Sequence, residues 1–200
     1  AGSENVEIVQ ADFLRLDLSQ FLQQRFGANK LTVVANLPYY ITTPIIVQLI
    51  GVKQHVTRMI MMVQREVAQR LAATAGSDDY GSISVFVRYS CEVEIIAQAP
   101  RTVFLPNPDV DSTLVRLTVR ERPAVEPKDE KLFFTIVRAS FGKRRKTILN
   151  ALSTANDIRL SKQEIEEALK AAGIDHCRRG ETLDLPEFAK LADEIASAQT

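Results

Sequence analysis

The fold of this chain is decided by residues 31–50, which read LTVVANLPYYITTPIIVQLI. Residues 31–35 form an apolar run that predicts a buried strand of a parallel sheet. Residues 43–50 predict a helix, because a threonine and a proline, both common at helix starts, precede an apolar run. Residues 36–39 therefore follow the carboxyl end of a strand, which is where open α/β sheets bind their ligands.

Residues 36–39 suit an extruded adenine base. The Asn36 carboxamide oxygen and the backbone carbonyl of Leu37 or Pro38 can accept the two hydrogens of an exocyclic amino group. The Tyr39 ring can stack on the base, which contributes about 1–3 kcal/mol. The same four residues also suit an ordinary turn, because Asn and Pro are turn formers and tyrosines often pack at strand ends. On these residues alone both interpretations stay open.

Six strings resemble one family in order and spacing, and together they cover nearly the whole chain. They are NLPYYITTP from Asn36, ADFLRLDL from Ala11, MVQREVAQRL from Met62, VFLPNPDVDSTLVRL from Val103, SFGKRRKTILNAL from Ser140 and RRGETLDLPEFAKLA from Arg178. They are similar to the small-subunit ribosomal RNA adenine dimethyltransferases, whose loss gives bacteria kasugamycin resistance. The resemblance implies S-adenosylmethionine as methyl donor and two adjacent adenosines near the 3′ end of the small-subunit rRNA as substrate.

The resemblance also implies site residues. Asn36, Leu37, Pro38 and Tyr39 are expected to be catalytic, and Asp12, Phe13 and Asn36 to contact the cofactor. Direct attack of the adenine amino nitrogen on the donor's methyl group needs no obligatory general base. Positioning of the extruded base is then expected to supply much of the acceleration.

The sequence departs from the family pattern where the cofactor is held. A doubly wound methyltransferase sheet begins with a strand and a glycine-rich turn. The eight glycines of this chain include no Gly-x-Gly pair, and the strand predicted at residues 6–10 almost opens the chain. We therefore expect the N-terminal glycine-rich cofactor segment to be missing and S-adenosylmethionine binding to be weak or absent.

Hydrophobic periodicity divides the chain near Pro123. Before it, strands and helices alternate, which predicts an α/β fold, a partial doubly wound Rossmann-like methyltransferase sheet. The predicted strands are 6–10, 31–35, 57–63, 93–97 and 113–120, the last two at an antiparallel edge; the predicted helices are 19–26, 43–50 and 64–73; residues 82–89 fit either type. Beyond it, a small all-α domain is predicted from helices 131–141, 143–152, 162–171 and 186–198. We expect residues 1–122 to be part of the methyltransferase domain and residues 123–200 to be a helical RNA-binding domain.

Positive charge is concentrated locally, although the chain has 25 basic and 25 acidic residues. No acid stands between Arg138 and Lys146, and such a cluster can neutralise RNA phosphates. A solvated helix face is the alternative for the cluster, and a core position is the alternative for Phe141. The residues expected to contact RNA are Tyr40, Phe141, Lys143, Arg144, Arg145, Lys146, Arg178 and Arg179.

Composition and the hydrophobic pattern argue against a membrane-spanning or secreted protein. With 46% hydrophobic residues and no long apolar stretch or leader, the sequence predicts a soluble, cytoplasmic, globular protein. Cys91 and Cys177 are expected to be free thiols. His176 adjoins Cys177 but the pair lacks further ligands in sequence, so no metal site is expected. The expected partner is small-subunit rRNA or a pre-30S particle, and the protein is expected to be a monomer.

Two other functions remain open from the sequence. One is a noncatalytic rRNA-binding or ribosome-assembly module that keeps the base pocket and the basic cluster without turnover. The other is a large-subunit rRNA adenine methyltransferase of the macrolide-resistance type, which shares the motif at Asn36–Tyr39 and the basic string.

Overall fold

A four-stranded mixed sheet is the centre of the computed structural model, which describes residues 5–143 and 145–199. Its strands are β1 (Leu31–Asn36), β2 (Val56–Gln64), β3 (Cys91–Ala99) and β4 (Ser112–Val119). Their order is β1-β2-β4-β3, with β1 and β2 parallel and both other pairs antiparallel. This arrangement confirms the predicted α/β class and its antiparallel edge.

Eight α-helices within the described residues surround and follow the sheet. They are α1 (Leu18–Phe26), α2 (Thr42–Gly51), α3 (Arg65–Ala72), α4 (Ser82–Ser90), α5 (Glu130–Gly142), α6 (Ile148–Leu152), α7 (Lys162–Ala171) and α8 (Leu185–Ala198). The segment that fitted helix or strand is the helix α4. A capping box of Ser161 and Glu164 starts α7, with reciprocal hydrogen bonds of 2.7 and 3.3 Å. No helix in the described ranges is long and apolar enough to span a bilayer.

Two hydrophobic cores stabilise the chain. The first lies between the sheet and helices α1–α4 and includes the fully buried Ile46 and Met59. The second lies among the later helices and includes Phe133 and Phe188. Tyr89 of α4 belongs to the second core, so this core also recruits residues that precede Pro123. The division into 1–122 and 123–200 therefore stays a prediction.

The crossover from β1 through α2 to β2 positions the candidate site. Helix α2 is apolar on most of its surface and buries Ile45, Ile46 and Leu49 against the sheet. Residues of β1 alternate between the helix-covered face and an exposed face, because successive strand side chains point to opposite sides. Val34, on the exposed face, is 76% exposed.

The strand predicted for residues 6–10 is wrong. This segment pairs with no strand in the described part of the chain, and Ile8 is 92% exposed. An alternating pattern forms a strand only where a neighbouring strand supplies hydrogen bonds. Glu7 instead makes an ion pair with Arg25 of α1, with Nη2 and Oε1 2.7 Å apart.

The helix predicted for residues 143–152 is wrong in its first half. Helix α5 continues to Gly142, and the next helix begins only at Ile148, after Thr147 as its N-cap. A turn intervenes, in which the Lys146 N–H donates to the Lys143 carbonyl at 2.8 Å. Threonine favours a helix start, and like charges three residues apart, as at Lys143 and Lys146, would repel each other on one helix face.

Candidate active site and nucleic-acid interface

The loop after β1 lies at the carboxyl end of the two parallel strands. It contains Leu37 and Pro38 and continues into the 3-10 turn Tyr39–Ile41 before α2 begins. The Leu37 N–H donates to the Met62 carbonyl of β2 at 3.4 Å. The loop is thereby attached to the neighbouring strand at the sheet edge where a ligand was expected.

Two neighbouring acceptors in this loop are available. Asn36 is exposed, and its carboxamide has no hydrogen-bond partner in residues 5–143 and 145–199. The Pro38 carbonyl already accepts from the Ile41 N–H at 3.3 Å and from the Thr42 hydroxyl at 3.1 Å. The Leu37 carbonyl accepts no hydrogen bond in those same ranges. Of the two carbonyls considered from the sequence, that of Leu37 is therefore the one free to bind a ligand.

The two tyrosines of the loop have different surroundings. Tyr39 is half-buried, and its phenol oxygen lies 2.7 Å from the hydroxyl of Ser112 at the start of β4. Tyr40 is 87% exposed. Tyr39 is thus held against the sheet, whereas Tyr40 presents its ring to solvent, where an aromatic side chain can meet a base.

An apolar cavity of about 420 Å³ adjoins the loop. Asp12 and Phe13 line one side of it and Leu37 and Pro38 another. The structure therefore brings two of the expected cofactor residues together with two motif residues. Asn36 does not belong to this lining, since its side chain projects from the opposite, exposed face of β1.

The chemistry of this cavity fits the adenine end of the expected cofactor. Asp12 begins the 3-10 turn Phe13–Arg15, where its Oδ1 accepts from the Leu14 N–H at 3.1 Å. Its carboxylate stays accessible, with 58% of the side chain exposed, and can also accept from an adenine amino group. The ring itself would lie against apolar side chains. No Gly-x-Gly turn is available in the sequence for the rest of the cofactor.

A basic surface forms at the turn between α5 and α6. A cavity of about 350 Å³ is lined there by Gly142, Lys143, Arg145 and Lys146, and the three cationic residues are exposed. Arg144, also expected to bind RNA, lies outside the described residues. The other two basic residues expected to bind RNA, Arg178 and Arg179, lie close to this turn in the chain's fold. The N–H of Ile148, which follows the turn, donates to the carbonyl of Arg178 at 2.7 Å.

The members of this surface are not equally free. Lys143 Nζ donates to Thr154 Oγ1 at 2.9 Å. The side chain of Arg179 is more than half exposed, and its Nη1 makes a long ion pair of 3.8 Å with Glu181. Phe141 packs edge-on against Tyr80 at a ring distance of 5.5 Å and belongs to the periphery of the second core. The Phe141 geometry therefore favours the core alternative over stacking on a base.

Arg178 is engaged within the protein. Its guanidinium donates from Nη1 and Nη2 to the carboxylate of Glu187, and from Nε and Nη2 to the side chain and carbonyl of Thr182. These hydrogen bonds lower the pKa of the Glu187 carboxyl below its ordinary value. Arg178 thus anchors the start of α8. Its expected contact with RNA stays a prediction, and that contact would require its hydrogen bonds to Glu187 and Thr182 to break.

Sequence reasoning missed two residues. Ser112 fixes the ring of Tyr39. Gly180 packs so closely on Ser140 of α5 that no side chain fits between them. Both lie within strings that resemble the family, so their sequence context marked the regions, but nothing in the sequence identified their partners.

The chain is similar to known proteins over most of its length. Residues 1–191 match a family model described as ribosomal RNA adenine dimethylase. The chain is 48% identical over 194 residues to a protein of Geobacillus thermodenitrificans named ribosomal RNA small subunit methyltransferase A, covering 96% of this chain and 66% of that protein. A protein of the same name from Clostridioides difficile is 45% identical over 192 residues, again with 96% and 66% coverage. The chain thus spans about two thirds of the length of these relatives.

Solved structures show the same fold. A dimethyladenosine transferase from Plasmodium falciparum matches with a TM-score of 0.78 and 25% identity, over 99% of this chain and 75% of that one. A 23S rRNA methyltransferase, ErmE, matches with a TM-score of 0.67 and 23% identity, over 96% and 72%. At that identity the second match shows the fold alone.

Proposed function

Because this chain belongs to the ribosomal RNA adenine dimethylase family, we propose that it holds a target adenine of small-subunit rRNA for methylation of its amino nitrogen. The observation that carries this proposal is the pair of neighbouring free acceptors, the Asn36 carboxamide oxygen and the Leu37 carbonyl, beside the anchored ring of Tyr39. An adenine amino group offers two N–H donors, and these two acceptors match them.

The loop acts by positioning. When both amino hydrogens are bound by Asn36 and Leu37, the orientation of the nitrogen is fixed. Tyr39 stacks on the base and holds it out of the RNA helix, at about 1–3 kcal/mol per stacked base. Holding reactants in the reactive geometry removes much of the entropic barrier of a bimolecular reaction. The proton released by the methylated nitrogen can pass to solvent, since Asn36 is exposed.

The cofactor of the family would be held in part by this chain. Asp12, Phe13 and Pro38 would bind the adenine end of S-adenosylmethionine in the apolar cavity. When bound, S-adenosylmethionine supplies an electrophilic methyl group. Because the sequence contains no Gly-x-Gly turn, the 200-residue chain by itself binds this cofactor weakly or not at all.

The substrate is small-subunit rRNA, at two adjacent adenosines. The whole protein dimethylates both of them, in the cytoplasm. Arg145, Lys146 and Arg179 bind its phosphates. The first two line one cavity, and the exposed Arg179 follows Arg178, whose carbonyl is hydrogen-bonded to the start of α6. Tyr40 provides a second ring beside the target base. The protein as a whole is neutral, so this grip is local and depends strongly on salt.

Binding to ribosomal particles tests the proposal. The chain is expected to bind small-subunit particles that lack the dimethylation more tightly than free large-subunit rRNA. Lys146→Gln should reduce the slope of log affinity against log salt by about 1, as expected for one lost phosphate contact. Lys131→Gln removes the same charge from the other end of α5 and should leave that slope unchanged.

The outcomes of RNA binding and of cofactor binding separate the alternatives. Equal affinity for both RNAs, with no effect of Lys146→Gln, would contradict the proposed substrate and interface. Tight binding to large-subunit rRNA instead would favour the macrolide-resistance type. Calorimetric titration with S-adenosylmethionine tests whether this chain binds the cofactor weakly or not at all, and micromolar binding would refute that expectation. A chain that binds RNA but no cofactor is also what a noncatalytic module would show. Transfer of labelled methyl groups by a protein that includes the glycine-rich turn then distinguishes enzyme from module.

A further inference from the structure

The hydrogen bond between Tyr39 and Ser112 joins residues that are 73 positions apart. The phenol and hydroxyl oxygens are 2.7 Å apart, and either group can be the donor. Ser112 is fully buried and opens β4, where Gln64 of β2 and Ala99 of β3 are its partners in register. Its backbone is therefore held between two strands, which fixes the Cα that carries the hydroxyl.

The residue before Ser112 strengthens this anchor. The Asp111 carbonyl accepts from the N–H of Arg65 at 3.0 Å, directly after β2. Its carboxylate accepts from the N–H of Arg101 at 2.9 Å, across the proline-rich loop that precedes β4. This bond ties the start of the loop to its end. Asp111 and Ser112 together join three loops at the sheet edge that carries the candidate base pocket.

We propose that Ser112 is a positioning residue, which holds the Tyr39 ring in the orientation that stacks on the target adenine. This inference rests on the proposed function. A tyrosine attached only through its Cβ can rotate about two side-chain bonds, and a bond at the far end of the ring removes that freedom. Fixing a side chain before binding avoids an entropic cost that corresponds to about a two- to tenfold change in affinity.

The experiment uses an RNA hairpin with 2-aminopurine at the target adenosine. This fluorescent base reports stacking, and the measurement needs no cofactor. Tyr39→Ala removes the ring, so its saturated complex should be brighter than that of the original chain. Ser112→Ala and Tyr39→Phe each remove one end of the bond but keep the ring. Both are expected to brighten the complex partly and to weaken RNA binding about two- to tenfold.

A double variant and a matched control separate positioning from general stability. If Ser112 acts only through the bond, Ser112→Ala combined with Tyr39→Phe should behave like either single variant. Ser84→Ala removes another fully buried hydroxyl, one that accepts from the Gly81 N–H at the start of α4. It should lower stability but leave the brightness of the complex unchanged.

The outcomes distinguish this inference from the proposed function. If Tyr39→Ala brightens the complex and Ser112→Ala and Tyr39→Phe do not, Ser112 has no positioning role and the base pocket stands. If Tyr39→Ala itself changes nothing, the stacked base is refuted together with this inference. Should Ser112→Ala fail to fold, Tyr39→Phe still tests the bond, because it removes only the phenol hydroxyl of the half-buried Tyr39.

Discussion

Replacing Gly180 by alanine should destabilise the protein by about 1–3 kcal/mol, the usual cost of overpacking a close contact. A Cβ built at this position lies 2.7 Å from the Cβ of Ser140 and 3.0 Å from its carbonyl oxygen. Non-bonded carbon atoms prefer about 3.5–4.0 Å. The turn and α5 would therefore have to separate by roughly 1 Å to admit the methyl group.

The surroundings of Gly180 give little room for such a shift. Ser140 is buried in α5, and its hydroxyl donates to the Ile136 carbonyl at 2.7 Å. A bond of 2.7 Å from the Ile148 N–H to the Arg178 carbonyl also ties the segment before Gly180 to the start of α6. At about 2–4 °C per kcal/mol for a chain of this size, the melting temperature should fall by roughly 2–12 °C.

Chemical denaturation followed by circular dichroism measures this effect, with Gly142→Ala as the matched control. Gly142 ends α5, and an added Cβ there meets nothing within 4 Å. Its replacement should be neutral or stabilising by up to about 1 kcal/mol, because glycine is a poor helix residue. If Gly180→Ala is as stable as Gly142→Ala, the steric argument is incorrect. Removing the opposing Cβ with Ser140→Gly should partly relieve the clash in a double variant.

Two further predictions concern ionisable groups. The guanidinium of Arg178 lowers the pKa of the Glu187 carboxyl below 4.5. The ion pair of Arg178 and Glu187 therefore contributes its full stability above pH 4.5, and this stability is lost as the pH falls through the lowered pKa. Glu187→Gln should therefore lose less stability than the original chain below pH 4.5, measured by urea midpoints; an unchanged pH dependence would contradict this. Burial raises the pKa of the Cys91 thiol to about 11, whereas Cys177 is exposed. Mass spectrometry after alkylation at pH 8 should find one modified thiol in the native chain and two after unfolding, and two in the native chain would contradict the burial of Cys91.

Much of the candidate site could be predicted because its chemistry is local in sequence. Asn36, Leu37 and Tyr39 are consecutive or nearly so, and the hydrophobic run before them fixes the strand that presents them. The sequence could not choose between the Leu37 and Pro38 carbonyls. That choice depended on the hydroxyl of Thr42, which reaches back to Pro38 only once α2 has formed.

The basic string shows how a local pattern can mislead. Residues 143–152 have helical spacing, but the structure places a turn before Ile148 and leaves Lys143, Arg145 and Lys146 exposed. Phe141 was a candidate for RNA contact because it precedes the basic string, and Arg178 because it forms a second basic pair with Arg179. In the structure Phe141 packs against Tyr80, and Arg178 donates to Glu187.

The sequence by itself determined most of the strands and helices after residue 18, the motif after β1 and the family to which the chain is similar, since periodicity, capping residues and motif letters depend on near neighbours. Only the tertiary structure decided that residues 6–10 form no strand, that Ser112 fixes Tyr39 and that Gly180 must remain small beside Ser140. Each of these depends on partners far apart in the chain, and pairing and close packing exist only after the chain has folded.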